Sequence, residues 1–385
     1  MIVCLNIFIP LIINDCMFRK RRKEENFKLK KPISKRLKGE MIAVRKLKPA
    51  RGLDLTTTEI PKIGPNDVLV KVRACSLCGT DVHIYNWDAP WDTRVKPPRT
   101  LGHEVCGDIV KIGKNVTSFS VGDYISAESH IYCGKCHLCR IGKQNICQNT
   151  KLLGVDVNGA FAEYVSLPEC ILWKNPKDMP PEIATLQESL GNSVYTVYSG
   201  EIVGKNIAIF GPGPTGLFAT GLCRVAGATK IMIVGGSKIH LDIAKKMGAD
   251  VIINRHEEDV IKRILEETDG IGSDVLLEMS GSPVAINQGL KSLRPGGRVT
   301  LLGLPKKEVK LDWSKDVVLK EARINGIWGR KLFDTWIIMS RLLASGRLDI
   351  TPIITHKLRL EEYEKAIELA ASGKAGKVVM FPPEE

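Results

Sequence analysis

The stretch that decides the fold is "NIAIFGPGPTGLFATGLCRVAGATKIMIV", residues 206–234, in which two short apolar runs flank a helical pattern. Gly211, Gly213 and Gly216 fit the pattern G-x-G-x-x-G at the turn from the first run into the helix. In such a unit the first glycine permits the tight turn, the second lets a pyrophosphate approach the backbone, and the third lets helix pack on strand. This context predicts a dinucleotide-binding site rather than a structural turn.

The surrounding sequence repeats the same alternation of strand and helix. Short apolar runs follow at "DVIIN", "DVLLEMSG", "GRVTLLGL" and "ARINGIWG", separated by helical patterns. The pattern predicts an α/β fold with a Rossmann-type, doubly wound parallel sheet over residues 191–330.

The stretch "IMIVGGSKIH" lies where this fold binds the adenosine ribose. An acidic residue about 20 positions beyond the glycines normally accepts a hydrogen bond from the 2′-hydroxyl of NAD, but the counted position is Gly235. Without that carboxylate, the main barrier to a 2′-phosphate is missing. We expect Ser237, Lys238 and His240 to contact this phosphate. The predicted cofactor is therefore NAD or NADP.

Four cysteines lie close together in "YCGKCHLCRIGKQNIC", namely Cys133, Cys136, Cys139 and Cys147. Their spacing lets one loop wrap four thiolates around a tetrahedral ion, and a closed shell leaves no position for a substrate. We predict a structural zinc site. An iron–sulfur cluster and a disulfide-bonded loop are the alternatives.

A second set of metal ligands is more dispersed. Cys78 follows a predicted strand, and His103 and Glu104 open another strand-rich run. A thiolate, an imidazole and a carboxylate form a mixed zinc shell with one position open for a substrate. Adjacent strand residues face opposite sides, so His103 and Glu104 need a kink to bind together. Either Glu104 or Glu188, in "LQESLGN", can therefore lie outside the shell.

The bulk properties limit the class of protein. A chain of 385 residues with 44% hydrophobic residues is long enough for two domains, and the apolar run at residues 2–13 is too short to span a bilayer. Residues 1–40 carry eleven basic and four acidic residues. We expect this segment to be disordered or an extension outside the true protein, which would begin at Met41; a nucleic-acid-binding zinc ribbon with a basic tail is the remote alternative.

From about residue 41 onward, the chain resembles the zinc-dependent medium-chain dehydrogenases. The motifs that carry the resemblance are "CGTDVHIYNWD", "GHEVCG", the cysteine-rich segment, "LQESLGN", "GRKLFDTW" and "DITPIITH". The resemblance implies a GroES-like β-rich catalytic domain at residues 41–190, completed by residues 331–385, with the Rossmann domain between. It also implies two zinc ions per subunit, a homotetramer and a cytoplasmic location, with no nucleic-acid or membrane partner.

The resemblance further implies the oxidation of a secondary alcohol, closest to the branch that converts L-threonine to 2-amino-3-oxobutanoate. A polyol, a sugar or 2,3-butanediol is the alternative substrate. In the family, residues at the positions of Thr80 and His83 pass the substrate proton to solvent, and His130 matches a histidine at the active-site entrance. The remaining cofactor contacts that we expect are Thr215, Leu302, Gly303, Leu304, Ile327 and Trp328.

Overall fold

The computed structural model describes residues 39–383. The prediction for residues 1–40 therefore lies almost entirely outside the described residues. The first strand, β1, spans Glu40–Lys46 and includes Met41.

The N-terminal part of the described chain consists mainly of strands. Its strands are β1, β2 (Asp54–Glu59), β3 (Asp67–Ser76), β4 (Arg99–Thr100), β5 (Glu104–Ile112), β6 (Tyr124–Ala127), β7 (His130–Ile131), β8 (Lys151–Leu152), β9 (Tyr164–Pro168) and β10 (Leu172–Lys174). Its helices are short: α1 (Gly79–Asn86), α2 (Trp91–Arg94), α3 (His137–Arg140) and α4 (Pro181–Ala184).

The middle of the chain alternates strands and helices. After α5 (Gln187–Val197) come β11 (Asn206–Phe210), α6 (Pro214–Val225), β12 (Lys230–Gly235), α7 (Lys238–Lys246), β13 (Val251–Asn254), α8 (Val260–Glu266), β14 (Ser273–Glu278), α9 (Pro283–Lys291), β15 (Leu293–Leu301) and β16 (Arg323–Gly326). The C-terminal elements are α10 (Asp334–Ala344), β17 (Ile354–Arg359), α11 (Tyr363–Ala371) and β18 (Lys377–Phe381).

The β-rich part is completed by the C-terminal strands. Its main sheet has the order β10-β6-β5-β3-β18-β17, with β9 also paired to β3. Strand β18 runs antiparallel to β3, and Met380 lies opposite Cys75. The apolar side chains of β3, β5 and β18 are divided between two buried clusters, because successive residues of a strand face opposite sides of the sheet.

The middle part is a six-stranded sheet with the order β13-β12-β11-β14-β15-β16 and parallel pairing throughout. The strand order reverses between β11 and β14, so a crevice opens at the carboxyl ends of these strands. The central strands are continuous apolar runs, as strands covered by helices on both faces require. These features confirm the predicted fold class.

Helix α10 contacts both parts of the molecule, because Trp336 lies 6.0 Å from Trp173 of β10 between ring centroids and donates to Glu128. Its residues Trp336 and Met339 belong to the same buried cluster as Leu217 and Leu222 of α6. The next strand of the β-rich sheet after α10 is β17, which begins at Ile354. Within residues 39–383, no helix is long and apolar enough to cross a membrane.

Candidate active site and metal centres

The cysteine lobe, residues 133–147, brings its four thiols together. Their Sγ atoms lie within 4.8 Å of one another, and the Sγ atom of Cys136 lies 3.5 Å from that of Cys139 and 3.8 Å from that of Cys147. Tetrahedral zinc with Zn–S bonds of about 2.3 Å requires thiolates about 3.8 Å apart. All four cysteines are free of disulfides. The donor set and its spacing therefore fit a structural zinc ion.

Backbone amides favour the thiolate form in the cysteine lobe. The amide of Lys135, the side chain of Asn149 and the amide of Cys136 lower the pKa of Cys133 to about 6. The amide of Cys133 in turn donates to the Sγ atom of Cys147 at 3.4 Å. A thiolate is the form that binds metal, and the backbone favours it at Cys133 and Cys136, whereas burial and the neighbouring thiols raise the pKa of Cys139 to about 12.

Cys78, His103 and Glu104 form a second cluster, the cleft metal site, with one ligand atom of each within 4.8 Å of the others. The kink that two adjacent ligands require is present, because β5 begins only at Glu104 and Gly102 adopts a φ of +88°. A Cβ atom on Gly102 would lie 2.2 Å from the ring of Phe161, so only glycine fits there. The thiolate, imidazole and carboxylate donors fit zinc.

Buried groups behind the cleft metal site hold its ligands. The Oδ1 atom of Asp81 lies 3.9 Å from Nδ1 of His103 and has no hydrogen-bond partner among residues 39–383, and the other carboxylate oxygen accepts from the amide of Cys78. Glu104 accepts from Ser76 and from Lys377, which is itself 2% exposed. A carboxylate behind a histidine orients the ring toward a metal. Burial raises the pKa of the Asp81 carboxyl.

Glu188 lies in the wall of the cleft and is paired with Arg330, whose Nη1 atom is 2.8 Å from the Glu188 carboxylate. Arg330 also donates to Glu128 through two nitrogens, and Glu128 accepts from the indole of Trp336. Burial alone would raise the pKa of Glu128, but the adjacent guanidinium holds it well below its usual range. The network fixes Glu188 at the edge of the site.

His130 lines the same cleft and is 6% exposed. Its Nδ1 atom lies 2.8 Å from a guanidinium nitrogen of Arg330 and 3.1 Å from Glu128. Its Nε2 atom is buried and has no hydrogen-bond partner in the described part of the chain. An unpaired buried nitrogen beside an open cleft is available to a ligand.

Thr80 and His83 both lie on α1 and line the cleft. They are three residues apart, so their side chains share one face of the helix. The Nδ1 atom of His83 lies 3.0 Å from Asp88, and the His83 side chain is 33% exposed. The pair therefore extends from the cleft to solvent.

The catalytic cleft has a volume of about 710 Å³ and runs between the β-rich part and the parallel sheet. Cys78, His103, Thr215 and the segment 302–304 all line it. Ile327 instead lines a neighbouring cavity, and Trp328 lines both. The sites predicted for metal and for nicotinamide therefore share one space.

The three fingerprint glycines have the local geometry that a dinucleotide requires. Gly211 has a φ of +98°, Gly213 has open space where a Cβ atom would lie, and a Cβ atom on Gly216 would lie 2.0 Å from the carbonyl oxygen of Gly211. Gly213 is also the N-cap residue of α6, so free amides face the open space. The cradle fits a pyrophosphate.

The predicted ribose contacts are only partly brought together. Gly235, Ser237 and His240 line a smaller cavity, the ribose cleft, but Ser237 donates to the carbonyl of Gly373 and His240 contacts that of Ala375. Lys238 does not line this cleft: its side chain is 85% exposed and pairs with Asp242 at 2.8 Å.

Several residues of these sites were not predicted from the sequence. They are Asp81, Glu128, Lys377, Arg330 and, beside the ribose cleft, Arg255. A signal existed for Asp81, which lies three residues after Cys78, and for Arg255, which follows a parallel strand at the ligand-binding edge. The partners of Glu128 and Glu104 are 202 and 273 residues away, beyond the reach of local spacing.

Two family descriptions match the chain: "Alcohol dehydrogenase GroES-like domain" over residues 64–177 and "Zinc-binding dehydrogenase" over residues 214–345. The chain belongs to the zinc-dependent medium-chain dehydrogenases. This confirms the predicted class, an oxidoreductase that depends on zinc and a nicotinamide dinucleotide.

Within that family, the chain is 50% identical to the L-threonine 3-dehydrogenase of Pyrococcus abyssi over 343 residues, or 89% of this chain and 99% of the relative. A zinc-binding dehydrogenase of Sinorhizobium meliloti 1021, solved with NADP, superposes with a TM-score of 0.83 at 30% identity, over 89% of this chain and 99% of that one. The 2R,3R-butanediol dehydrogenase of Bacillus subtilis superposes with a TM-score of 0.81 at 29% identity, over 89% of this chain and 100% of that one.

Proposed function

We propose that the enzyme oxidises the 3-hydroxyl of L-threonine to give 2-amino-3-oxobutanoate, with NAD or NADP reduced and one proton released. The observation that carries the proposal is the 50% identity to an L-threonine 3-dehydrogenase along nearly the whole of both chains. The 2R,3R-butanediol dehydrogenase is similar at only 29% identity.

The charged groups of the cleft support an amino-acid substrate. One carboxylate oxygen of Glu188 is paired with Arg330, and the other is open to an ammonium group, while Nε2 of His130 offers an unpaired nitrogen for a carboxylate or hydroxyl. Both lie on the wall that also carries Arg330. A neutral diol or a polyol has no group that would pair with these charges.

Within the cleft, we assign the residues as follows. Cys78, His103 and Glu104 would hold the catalytic zinc, and Glu188 lines the same cleft. Bound zinc would act as a Lewis acid on the substrate hydroxyl, and the nicotinamide would accept hydride from the carbon that carries this hydroxyl. Thr80 receives the hydroxyl proton, and His83, held by Asp88, delivers it to solvent.

A substrate panel tests the proposal. The turnover of the zinc-loaded enzyme with L-threonine is compared with that with 2,3-butanediol, sorbitol and glucose, each with NAD and with NADP, and the amino-ketone product is identified by mass spectrometry. We expect kcat/KM for L-threonine to exceed that for each alternative by at least about 100-fold, because a neutral substrate lacks the ammonium and carboxylate groups that Glu188 and His130 would bind. Faster oxidation of a neutral diol or polyol would overturn it.

The His130→Gln variant separates substrate binding from chemistry. Loss of a contact to the substrate carboxylate should raise the KM for L-threonine while leaving the rate on 2,3-butanediol nearly unchanged. An equal loss of kcat on both substrates would assign His130 a structural role instead.

We also propose that the enzyme assembles as a homotetramer in the cytoplasm. Support for self-association comes from β16, at the edge of the parallel sheet, and from the segment before it, where Trp313, Val318 and Leu319 are 62%, 70% and 77% exposed. Exposed strand edges and apolar patches are typical of subunit contacts. Light scattering coupled to size exclusion should give four times the chain mass; a monomer would contradict the proposal.

A further inference from the structure

The ribose cleft lies at the end of the second strand of the parallel sheet. It has a volume of about 270 Å³ and shares Ser280 and Ser282 with the catalytic cleft, so one dinucleotide can reach from one to the other. No aspartate or glutamate is present among the described residues that line it. A carboxylate at this position is what favours NAD and repels a 2′-phosphate.

Two glycines keep the end of β12 without side chains. A Cβ atom on Gly235 would lie 2.3 Å from the ring of Pro212, and one on Gly236 would lie 2.4 Å from the Nε2 atom of His256. An acidic side chain at Gly235 would displace the ring of Pro212, whereas at Gly236 it would displace only the exposed side chain of His256. The packing around this turn therefore disfavours an acid at Gly235.

Arg255 supplies a positive charge to the ribose cleft. It directly follows β13, and its amide donates to the carbonyl of Gly235 at 2.9 Å, so its backbone is tied to the end of β12. Its Nε atom lies 3.4 Å from Nε2 of His256. Within residues 39–383, no carboxylate lies within 4.0 Å of its guanidinium, whereas Lys238 is already paired with Asp242.

We propose that Arg255, with His256 beside it, binds the 2′-phosphate of NADP, and that the enzyme prefers NADP to NAD. The guanidinium fork matches a phosphate, and a phosphate gives the unpaired charge of Arg255 a partner. The proposal rests on the proposed function only in taking a nicotinamide dinucleotide as the oxidant.

The test is a binding measurement that does not involve turnover. Calorimetry on the zinc-loaded full chain compares 2′,5′-ADP, which carries the 2′-phosphate, with 5′-AMP, which lacks it. We expect 2′,5′-ADP to bind at least about 10-fold more tightly, and Arg255→Gln to remove most of that difference while leaving 5′-AMP unchanged. Arg255→Lys should restore part of it.

Two further variants define the source of the charge. Lys238→Gln tests the cation expected from the sequence, and Lys262→Gln removes one exposed charge from α8 as a matched control. Each should change the affinity for 2′,5′-ADP by less than about twofold. Equal affinities of the parent enzyme for the two nucleotides, or a larger loss in Lys238→Gln than in Arg255→Gln, would overturn the proposal.

The failure of this inference differs from the failure of the proposed function. Efficient L-threonine oxidation with NAD but not NADP would reject the 2′-phosphate site and leave the substrate assignment in place. Tight, Arg255-dependent binding of 2′,5′-ADP without L-threonine turnover would reject the substrate assignment and leave the 2′-phosphate site in place.

Discussion

The cysteine lobe and the cleft metal site are both metal-ligand clusters, but the fold builds them in different ways. One loop of fifteen residues supplies all four thiols of the lobe, and backbone amides of that loop donate to the Sγ atoms of Cys133 and Cys147. The cleft metal site combines ligands from two separate segments and is backed by Asp81, Ser76 and Lys377. The cysteine lobe is suited to stabilise the fold. The cleft metal site is suited to hold an ion that a substrate can reach.

The largest effect on turnover should come from the cleft metal site. Cys78→Ser removes its thiolate, so zinc content should fall from two ions per chain to one, and kcat/KM should fall by about 10³-fold or more, because metal stabilisation of the transition state amounts to several kcal/mol. The circular dichroism spectrum should remain that of the parent. Turnover near the parent value would show that Cys78 does not serve the chemistry.

A smaller loss is expected for His83→Ala, which interrupts proton delivery from Thr80 to solvent. The loss should be about 10²-fold, the lower end of the range for positioned acid–base groups, and greatest below the pH optimum, where hydroxide cannot replace the missing acceptor. Added imidazole should restore part of the rate. A loss that is independent of pH and is not rescued would argue for a packing role.

Asp81→Asn should weaken the cleft metal site without altering the cysteine lobe. The substitution removes the carboxylate behind His103, so the affinity of one of the two zinc ions should fall by about 10- to 100-fold, as measured by competition with a chelator. The second zinc should be retained as in the parent. Weakened binding of both ions would remove the distinction between the two sites.

Cys136→Ser should have the smallest effect on turnover and a clear effect on stability. A closed metal site contributes folding free energy, so we expect the melting temperature to fall by at least about 5 °C. The kcat of the folded fraction should stay within about twofold of the parent. Unchanged melting with reduced kcat would assign the cysteine lobe to catalysis.

The same contrast explains how far the sequence alone could predict the molecule. The glycine fingerprint and the cysteine lobe are local patterns, so their spacing led directly to the fold class and to the expected structural zinc site. The Glu104–Lys377 and Glu128–Arg330 pairs depend on chain segments that only the folded sheet brings together. Lys238 was predicted to contact the 2′-phosphate, but it forms an ion pair with Asp242, four residues further along the same helix. That spacing was visible in the sequence and could have indicated the pair.

The central claim, that one metal site serves chemistry and the other stability, is tested most directly by following turnover against zinc content during removal of zinc with a chelator. The cleft metal site faces the catalytic cleft and should lose its ion first. We predict that turnover falls in proportion to the first zinc lost and reaches zero at one zinc per chain, with the melting temperature unchanged to that point. Full turnover at one zinc per chain, or a melting temperature that falls from the first ion removed, would contradict this account.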